Sequence, residues 1–271
     1  MSYTVEAGYQ ATNLELARIG LDNALARATT LESRWAGDNS LNDNASFPVI
    51  NVTRRNTFET YRPTTWSPKI EATWSTPVVV DYLAFARHNL KSSGITGGDL
   101  HVRPPGGSLT KVLGITFTDD DPICVPFAAT EIEYAEIRFG TGGDVIIAVC
   151  HLGKAVVMER PLRAAMQPVW LSRQTSVETQ TTEGGELLGP ILVRRGASVS
   201  PNWSNLSLGF YNDQLQPLAE QLPACPFFLA WQPDEHPAEV VYGTLSGDPS
   251  GEHIPRSDRY TFGFSMTGAA L

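Results

Sequence analysis

Apolar and polar positions alternate in short stretches along most of this chain. In Lys69-Ile70-Glu71-Ala72-Thr73-Trp74 every second residue is apolar, the pattern of a strand with one dry and one wet face. A strand is expected over 78–86, and its residues 78–85 are almost continuously apolar, which predicts a central strand buried on both faces or nearly so. Further strands are expected over 47–53, 99–102, 112–117, 134–139, 144–149 and 155–158, each bounded by Pro, Gly, Asp or Ser. A second group follows over 169–171, 186–188, 191–193, 206–210, 227–231, 239–242 and 260–266. Helical spacing is confined to two places. Leu14, Ala17, Leu21, Ala24, Leu25 and Ala28 predict a short helix over 14–28, interrupted by Gly20 and Asp22-Asn23. Leu215, Leu218 and Leu222 predict a second over 214–221, provided that Pro217 sits near its first turn.

With 23 glycines and 19 prolines spread along 271 residues, turn signals cut the chain into strand-sized pieces, and the expected class is all-β. The strand spacing suggests a β-sandwich over residues 1–160 and a second, smaller β-rich domain over 161–271. The boundary is placed in the polar break Arg160-Pro161-Leu162-Arg163 and Met166-Gln167-Pro168. A hydrophobic share of 42% supplies a core. The 18% charged residues, against about 25% in typical soluble domains, argue against disorder. A net charge of −9 argues against a broad grip on nucleic acid or on an anionic membrane. Neither a signal peptide nor a membrane span is expected, since the apolar runs are too short. Cys124, Cys150 and Cys225 lie far apart, outside any CxxC grouping, and are read as reduced, buried thiols.

Catalytic motifs are absent or incomplete. Gly106-Gly107-Ser108-Leu109-Thr110 lacks the last glycine of a nucleophile elbow, and Gly140-Thr141-Gly142-Gly143 lacks the Lys-Ser/Thr of a phosphate loop and reads as a hairpin turn. Cys150 and His151 are neighbours on a predicted strand, so their side chains point to opposite faces and cannot pair. Asp119-Asp120-Asp121 reads as a solvated turn, with a calcium site as the alternative. The five histidines have no metal-ligand spacing, and no cofactor or metal is expected. A carboxylate pair for glycoside hydrolysis has no signature in sequence spacing, and that route stays open. The remaining signal is aromatic: Trp35, Tyr61, Trp66 and Trp74 lie in one stretch with Arg54, Arg55 and Arg62. Rings and guanidiniums of this kind stack on sugars or anchor protein interfaces, and Trp35, Tyr61, Arg62 and Trp66 are the candidate ligand or interface residues.

Three segments are more specific: Leu16-Ala17-Arg18-Ile19-Gly20-Leu21-Asp22-Asn23, then Thr60-Tyr61-Arg62-Pro63-Thr64, then Val79-Val80-Asp81-Tyr82-Leu83-Ala84-Phe85-Ala86-Arg87-His88-Asn89-Leu90 with Ser93-Gly94 behind it. With Pro226-Phe227-Phe228-Leu229-Ala230-Trp231-Gln232-Pro233 and Pro237-Ala238-Glu239-Val240-Val241-Tyr242-Gly243, the sequence resembles structural proteins of tailed bacteriophages. Those carry an N-terminal discoidin-like, galactose-binding-type jelly roll. The matching pieces are short but span most of the chain; Lys91 departs from the pattern, where a glycine often follows the turn. The resemblance implies a non-enzymatic virion protein of the tail tip or baseplate, made in the host cytoplasm. It would form a homo-oligomeric ring and join tube, hub or fibre proteins. His88 and Asn89 would fix the turn after the buried strand through side-chain bonds to the backbone. The discoidin-like fold also brings sugar-binding relatives with it, so the alternative is a carbohydrate- or receptor-binding module.

Overall fold

The structure is a computed structural model that describes residues 3–6, 13–37, 40–162, 168–169, 171–255 and 257–269. Its first seven-stranded sheet contains β1 (Tyr3–Val5); β2 (Arg18–Gly20) leaves for the second sheet; β3 (Thr30–Trp35), β4 (Pro68–His88), β5 (Gly97–Arg103), β6 (Thr110–Phe117), β7 (Ile123–Phe139) and β8 (Ile147–Gly153) complete the first. The order is β1-β6-β5-β7-β4-β3, with β8 also on β4. The first part of β4 pairs with β3 and its last part with β8, while β7 accompanies both. The two predicted strands at 69–74 and 78–86 are therefore one strand with a bend. Its register with β7 breaks between Thr73 and Val78, around Pro77, which has no N–H to give to a ladder. The layers enclose a core that includes Phe85, Leu100, Leu113, Phe117, Ile137 and Ile147. This half is the expected discoidin-like jelly-roll sandwich, and the fold is all-β as predicted.

A second seven-stranded sheet is built from β9 (Val156–Val157), β10 (Arg173–Thr181), β11 (Leu187–Val199), β13 (Phe227–Ala230), β14 (Val240–Leu245) and β17 (Met266–Ala269), together with β2. A three-stranded sheet joins β12 (Asn202–Ser207), β15 (His253–Ile254) and β16 (Arg259–Gly263), and a helical stretch at 208–224 packs beside it. Its core includes Trp203, Leu218, Phe227, Phe262 and Phe264. The sheets do not part at residue 160. β2 and β9 precede it, yet β2 pairs with β13 on one side and β9 on the other. The halves also share a buried cluster of small and aromatic side chains: Ala84, Ala148 and Val149 from the first, Phe228, Val240 and Tyr242 from the second.

The expected helix over 14–28 is not formed. Ala17, Ile19 and Leu21 are buried at a spacing of two around β2, and Ala24 and Leu25 belong to a single 3-10 turn capped by the Asn23 side chain. The helical period came from adding these two elements. Gly20 is fixed there by contact, since a Cβ on it would lie 2.7 Å from the Tyr82 ring. The predicted strand at 47–53 is likewise a 3-10 turn, Val49–Thr53. In the second half the segment expected at 206–210 turns helical after Ser207, whose hydroxyl caps Phe210. The apolar run expected to be one strand at 260–266 divides into β16 and β17. The strand expected at 169–171 is a turn at its described residues, while Trp170 and 163–167 in the boundary segment lie outside them.

Candidate functional site

Two loop regions of the jelly roll carry the residues that the sequence singled out. In the first, the end of β3 and the segments at 40–42 and 60–67 form one hydrogen-bonded layer. Ser33 and Asn42 exchange hydrogen bonds, with Asn42 N–H donating to Ser33 O at 2.9 Å and the Ser33 side-chain hydroxyl to Asn42 O at 3.1 Å. The Asn42 side-chain oxygen accepts from both the N–H (2.9 Å) and the hydroxyl (2.6 Å) of Thr64. Ala36 N–H donates to Ser67 O, and Gly142 N–H to Trp66 O.

Tyr61 is the anchor beneath this layer. It is fully buried, its hydroxyl meets Ser33 Oγ at 2.5 Å, and its backbone exchanges bonds with Ile147 of β8. Burial pushes its phenol well above the ordinary tyrosine range, so it is a neutral hydrogen-bonding group at all ordinary pH. Tyr61 therefore cannot touch a ligand, in correction of its candidate role: the edge of β8 and Ser33 hold it in the core. Trp74 is also inside, with its indole N–H on Ala24 O at 2.9 Å.

Trp66 and Trp35 face the other way. Trp66 is 72% exposed and Trp35 37%, and Leu41, bridged to Arg34 in the same layer, is 70% exposed. Arg62 is exposed, its guanidinium 4.4 Å above the ring of Phe47. The layer thus presents two indoles, one leucine and one cation held over a ring, on a backbone fixed from below by Tyr61, Ser33 and Asn42. Stacking and apolar contact are what such a surface offers. Two buried polar atoms under it, Asn42 Nδ2 and Thr65 Oγ1, have no partner among the described residues. Sequence reasoning missed Leu41 and Asn42, which sit in a polar loop with no periodic context. It also missed Phe58, 91% exposed, whose place as a lone ring in Asn56-Thr57-Phe58-Glu59 was a usable signal.

The second region is the turn after β4. His88 is buried against Phe85 and Phe117; its Nε2 bonds Asp121 O at 3.0 Å, and Leu90 N–H points at its Nδ1 at 3.4 Å. Asn89 Nδ2 donates to Asp144 O at 2.7 Å and its Oδ1 accepts from Ile146 N–H at 2.6 Å. Asp120 accepts from the N–H groups of Lys91 (2.8 Å) and Ser92 (3.2 Å). Asp120 thus caps this turn. No group of three or more His, Cys, Asp or Glu side chains able to hold a metal ion occurs among the described residues.

Other candidate chemistry is committed to structure. Cys150 lies in the jelly-roll core and His151 in the shared cluster on the opposite face. On the sheet face that carries Glu32 and Arg34, Lys69 bonds Glu71 at 2.5 Å and lies 3.8 Å from Glu136, so both carboxylates are engaged with one ammonium.

No family model and no curated protein matches the sequence. Among solved structures, half of the chain is similar to a family 32 carbohydrate-binding module from Clostridium perfringens NanJ in complex with galactose. Identity is 15%, coverage 50% of this chain and 98% of that one, and the TM-score 0.40. Chitosan-binding module 1 of a chitosanase/glucanase from Paenibacillus sp. IK-5 gives 12%, 48%, 98% and 0.39 in the same order. A GH29 fucosidase from Ruminococcus gnavus gives 15% identity over 50% of this chain, which spans only 27% of the fucosidase, at a TM-score of 0.38. All three scores lie below 0.5, and the architecture stands on the strand pairing itself.

Proposed function

We propose that this chain is a non-catalytic recognition module whose jelly-roll half binds carbohydrate through the loop layer of Trp35, Leu41, Arg62 and Trp66. The observation that carries this reading is the exposure of Trp66, an indole left in solvent on a backbone that Tyr61, Ser33 and Asn42 hold in place. A large ring costs free energy in water, and a pre-ordered loop lowers the entropy lost when a flat apolar sugar face covers it. The test is calorimetry and array binding with neutral and amino hexose oligosaccharides, on wild type, Trp66→Ala and Trp35→Ala. Binding of a defined sugar that weakens by about tenfold or more in Trp66→Ala, with unchanged thermal unfolding, is expected. A blank array for the wild type, or binding indifferent to both substitutions, overturns the reading.

A second reading is favoured by apolar exposure beyond that layer: Phe58 at the tip of its loop and Leu171 at the entry to β10 are both open to solvent. Groups of this kind become buried when subunits associate. They support the tail-tip or baseplate assembly protein implied by the sequence resemblance, and such a virion subunit can also carry a sugar site. Light scattering and electron microscopy of the purified chain separate the two. Symmetric rings, or stable complexes with tail proteins, with a blank array, favour assembly; a lone monomer that binds a sugar favours recognition.

A further inference from the structure

Two clefts of ligand size open outside the loop layer, and they differ in charge. One, of about 500 Å³, is lined by Glu220, Asp248 and Glu252 beside the stacked rings of Tyr211 and Tyr260. The other, of about 630 Å³, lies where the loop at 55–58 and the end of β4 meet β14 and β17. Among the described residues its charged lining consists of two guanidiniums, Arg55 and Arg87, with no carboxylate. In a chain of net charge −9 this is the unusual case.

Both guanidiniums are uncommitted. The neighbouring Arg54 is neutralised by Glu59, whereas Arg55 and Arg87 make no ion pair among the described residues. The backbone of Arg55 is nevertheless tied down, since Tyr242, another lining residue, donates its hydroxyl to Arg55 O at 3.0 Å. Arg87 is held in a way its sequence does not favour. Its φ is +53°, left-handed for a non-glycine residue, while Ala86 and His88 on either side remain in register with β8. The floor between the two is bare backbone: Gly243 pairs with Gly268 across β14 and β17, so closely that a Cβ on Gly268 would lie 2.1 Å from Tyr242 O. The exposed ring of Phe58 gives the cleft an apolar wall, the buried Tyr242 lies beneath it, and Thr244 and Thr267 give it hydroxyls.

We infer that this cleft is a binding site for a ring-sized ligand bearing an oxyanion, a carboxylate or a sulfate ester, which Arg55 and Arg87 hold while the exposed Phe58 covers the ring. Guanidinium forks match such groups in geometry, and these two share one cleft with no carboxylate or ion-pair partner among the described residues. The site is independent of the Trp66 layer and does not require that layer to bind sugar.

The test is isothermal titration of the full chain with trigalacturonate, a sulfated disaccharide and neutral galactotriose. Variants are Arg55→Ala and Arg87→Gly, the second of which removes the guanidinium while suiting the left-handed backbone, with Trp66→Ala alongside. Binding of one acidic probe is expected, weakened about tenfold or more by either arginine substitution and by raising salt to roughly 0.2 M. Trp66→Ala should leave it unchanged, and preference for trigalacturonate or for the sulfated probe tells which oxyanion the site takes. No binding of either acidic probe by a folded wild type, binding that survives both arginine substitutions, or equal binding of the neutral probe overturns the assignment. Failure here with intact Trp66-dependent sugar binding leaves the proposed function standing, and the converse also holds.

Discussion

The turn at 88–94 and the loop layer around Tyr61 and Trp66 flank the same connector, for Gly142 N–H donates to Trp66 O and Gly143 N–H to Ser93 O. They use their side chains oppositely. In the turn, His88, Asn89 and Asp120 spend their hydrogen-bonding atoms on backbone groups of Asp121, Asp144, Ile146, Lys91 and Ser92. In the layer, the polar anchors lie underneath, the indole of Trp66 is largely in solvent and that of Trp35 is partly so. A loop that consumes its polar groups internally is built to close a fold. One that is stiffened from below and left apolar above has a surface to offer.

The comparison is sharpened most by acid. Burial holds the His88 imidazole down at about 4 and that of His151 at about 3, against an ordinary 6.5. Both are neutral in the folded chain, whereas the unfolded chain takes up protons as pH falls through 6.5. Their stabilisation is therefore complete above that pH and is lost as pH drops toward 4 for His88 and 3 for His151. At about 1.4 kcal/mol per unit, the loss from His88 alone is about 3 kcal/mol. Asp81 and Asp121, whose carboxyls burial pushes up, act in the opposite sense as pH falls through their raised values toward 3.8. Urea unfolding between neutral pH and pH 4 should show the decline. In His151→Phe it should be shallower, because Nε2 of His151 is buried with no partner among the described residues and a phenyl ring suits its contacts with Phe228 and Tyr242. A variant as acid-sensitive as wild type would remove His151 from this account.

The next effect belongs to Asn89. Replacing it by alanine strips one donor from Asp144 O and one acceptor from Ile146 N–H, with an expected cost of about 2 kcal/mol in chemical denaturation. Asn89→Asp retains only the acceptor and should fall between the two. In the layer, Tyr61→Phe removes a single hydroxyl contact with Ser33 and keeps the buried ring, so about 1 kcal/mol is expected. If Tyr61→Phe proves costlier than Asn89→Ala, the layer rather than the turn is what closes the jelly roll.

Sequence pattern revealed the strands because alternation reports burial directly: Ile70, Ala72 and Trp74 are all inside, as their spacing requires. It overstated the apolar stretch at 78–85, where Val79 is still exposed and burial becomes continuous only from Val80. It failed where two short elements abut, as at Ala17–Leu21 and Ala24–Leu25, since their separate periods add to a false helical one. It could not sort the aromatic cluster, because a ring in a loop carries no information about the side it faces. Tyr61 and Trp74 went inward through Ser33 and Ala24, partners 28 and 50 residues away along the chain. The pairing of β2 with β13, which ties residue 20 to residue 228, was equally beyond a local pattern.

The smallest change in stability should come from the residue on which the functional reading depends most. Trp66 is 72% exposed and accepts its one neighbouring bond through its backbone carbonyl, which alanine retains. Trp66→Ala should therefore alter unfolding by no more than about 0.5 kcal/mol in either direction. Trp74→Ala, eight residues away, takes a buried indole out of the core and its N–H off Ala24 O, and should cost about 3–5 kcal/mol. Thermal unfolding of the two variants measures the contrast without reference to any ligand. A large loss for Trp66→Ala would mean that its ring supports the layer from within, and the surface assigned to recognition would then belong to the fold. A neutral result leaves an indole kept in water on a stiff loop with no structural task, which is the condition a binding platform requires.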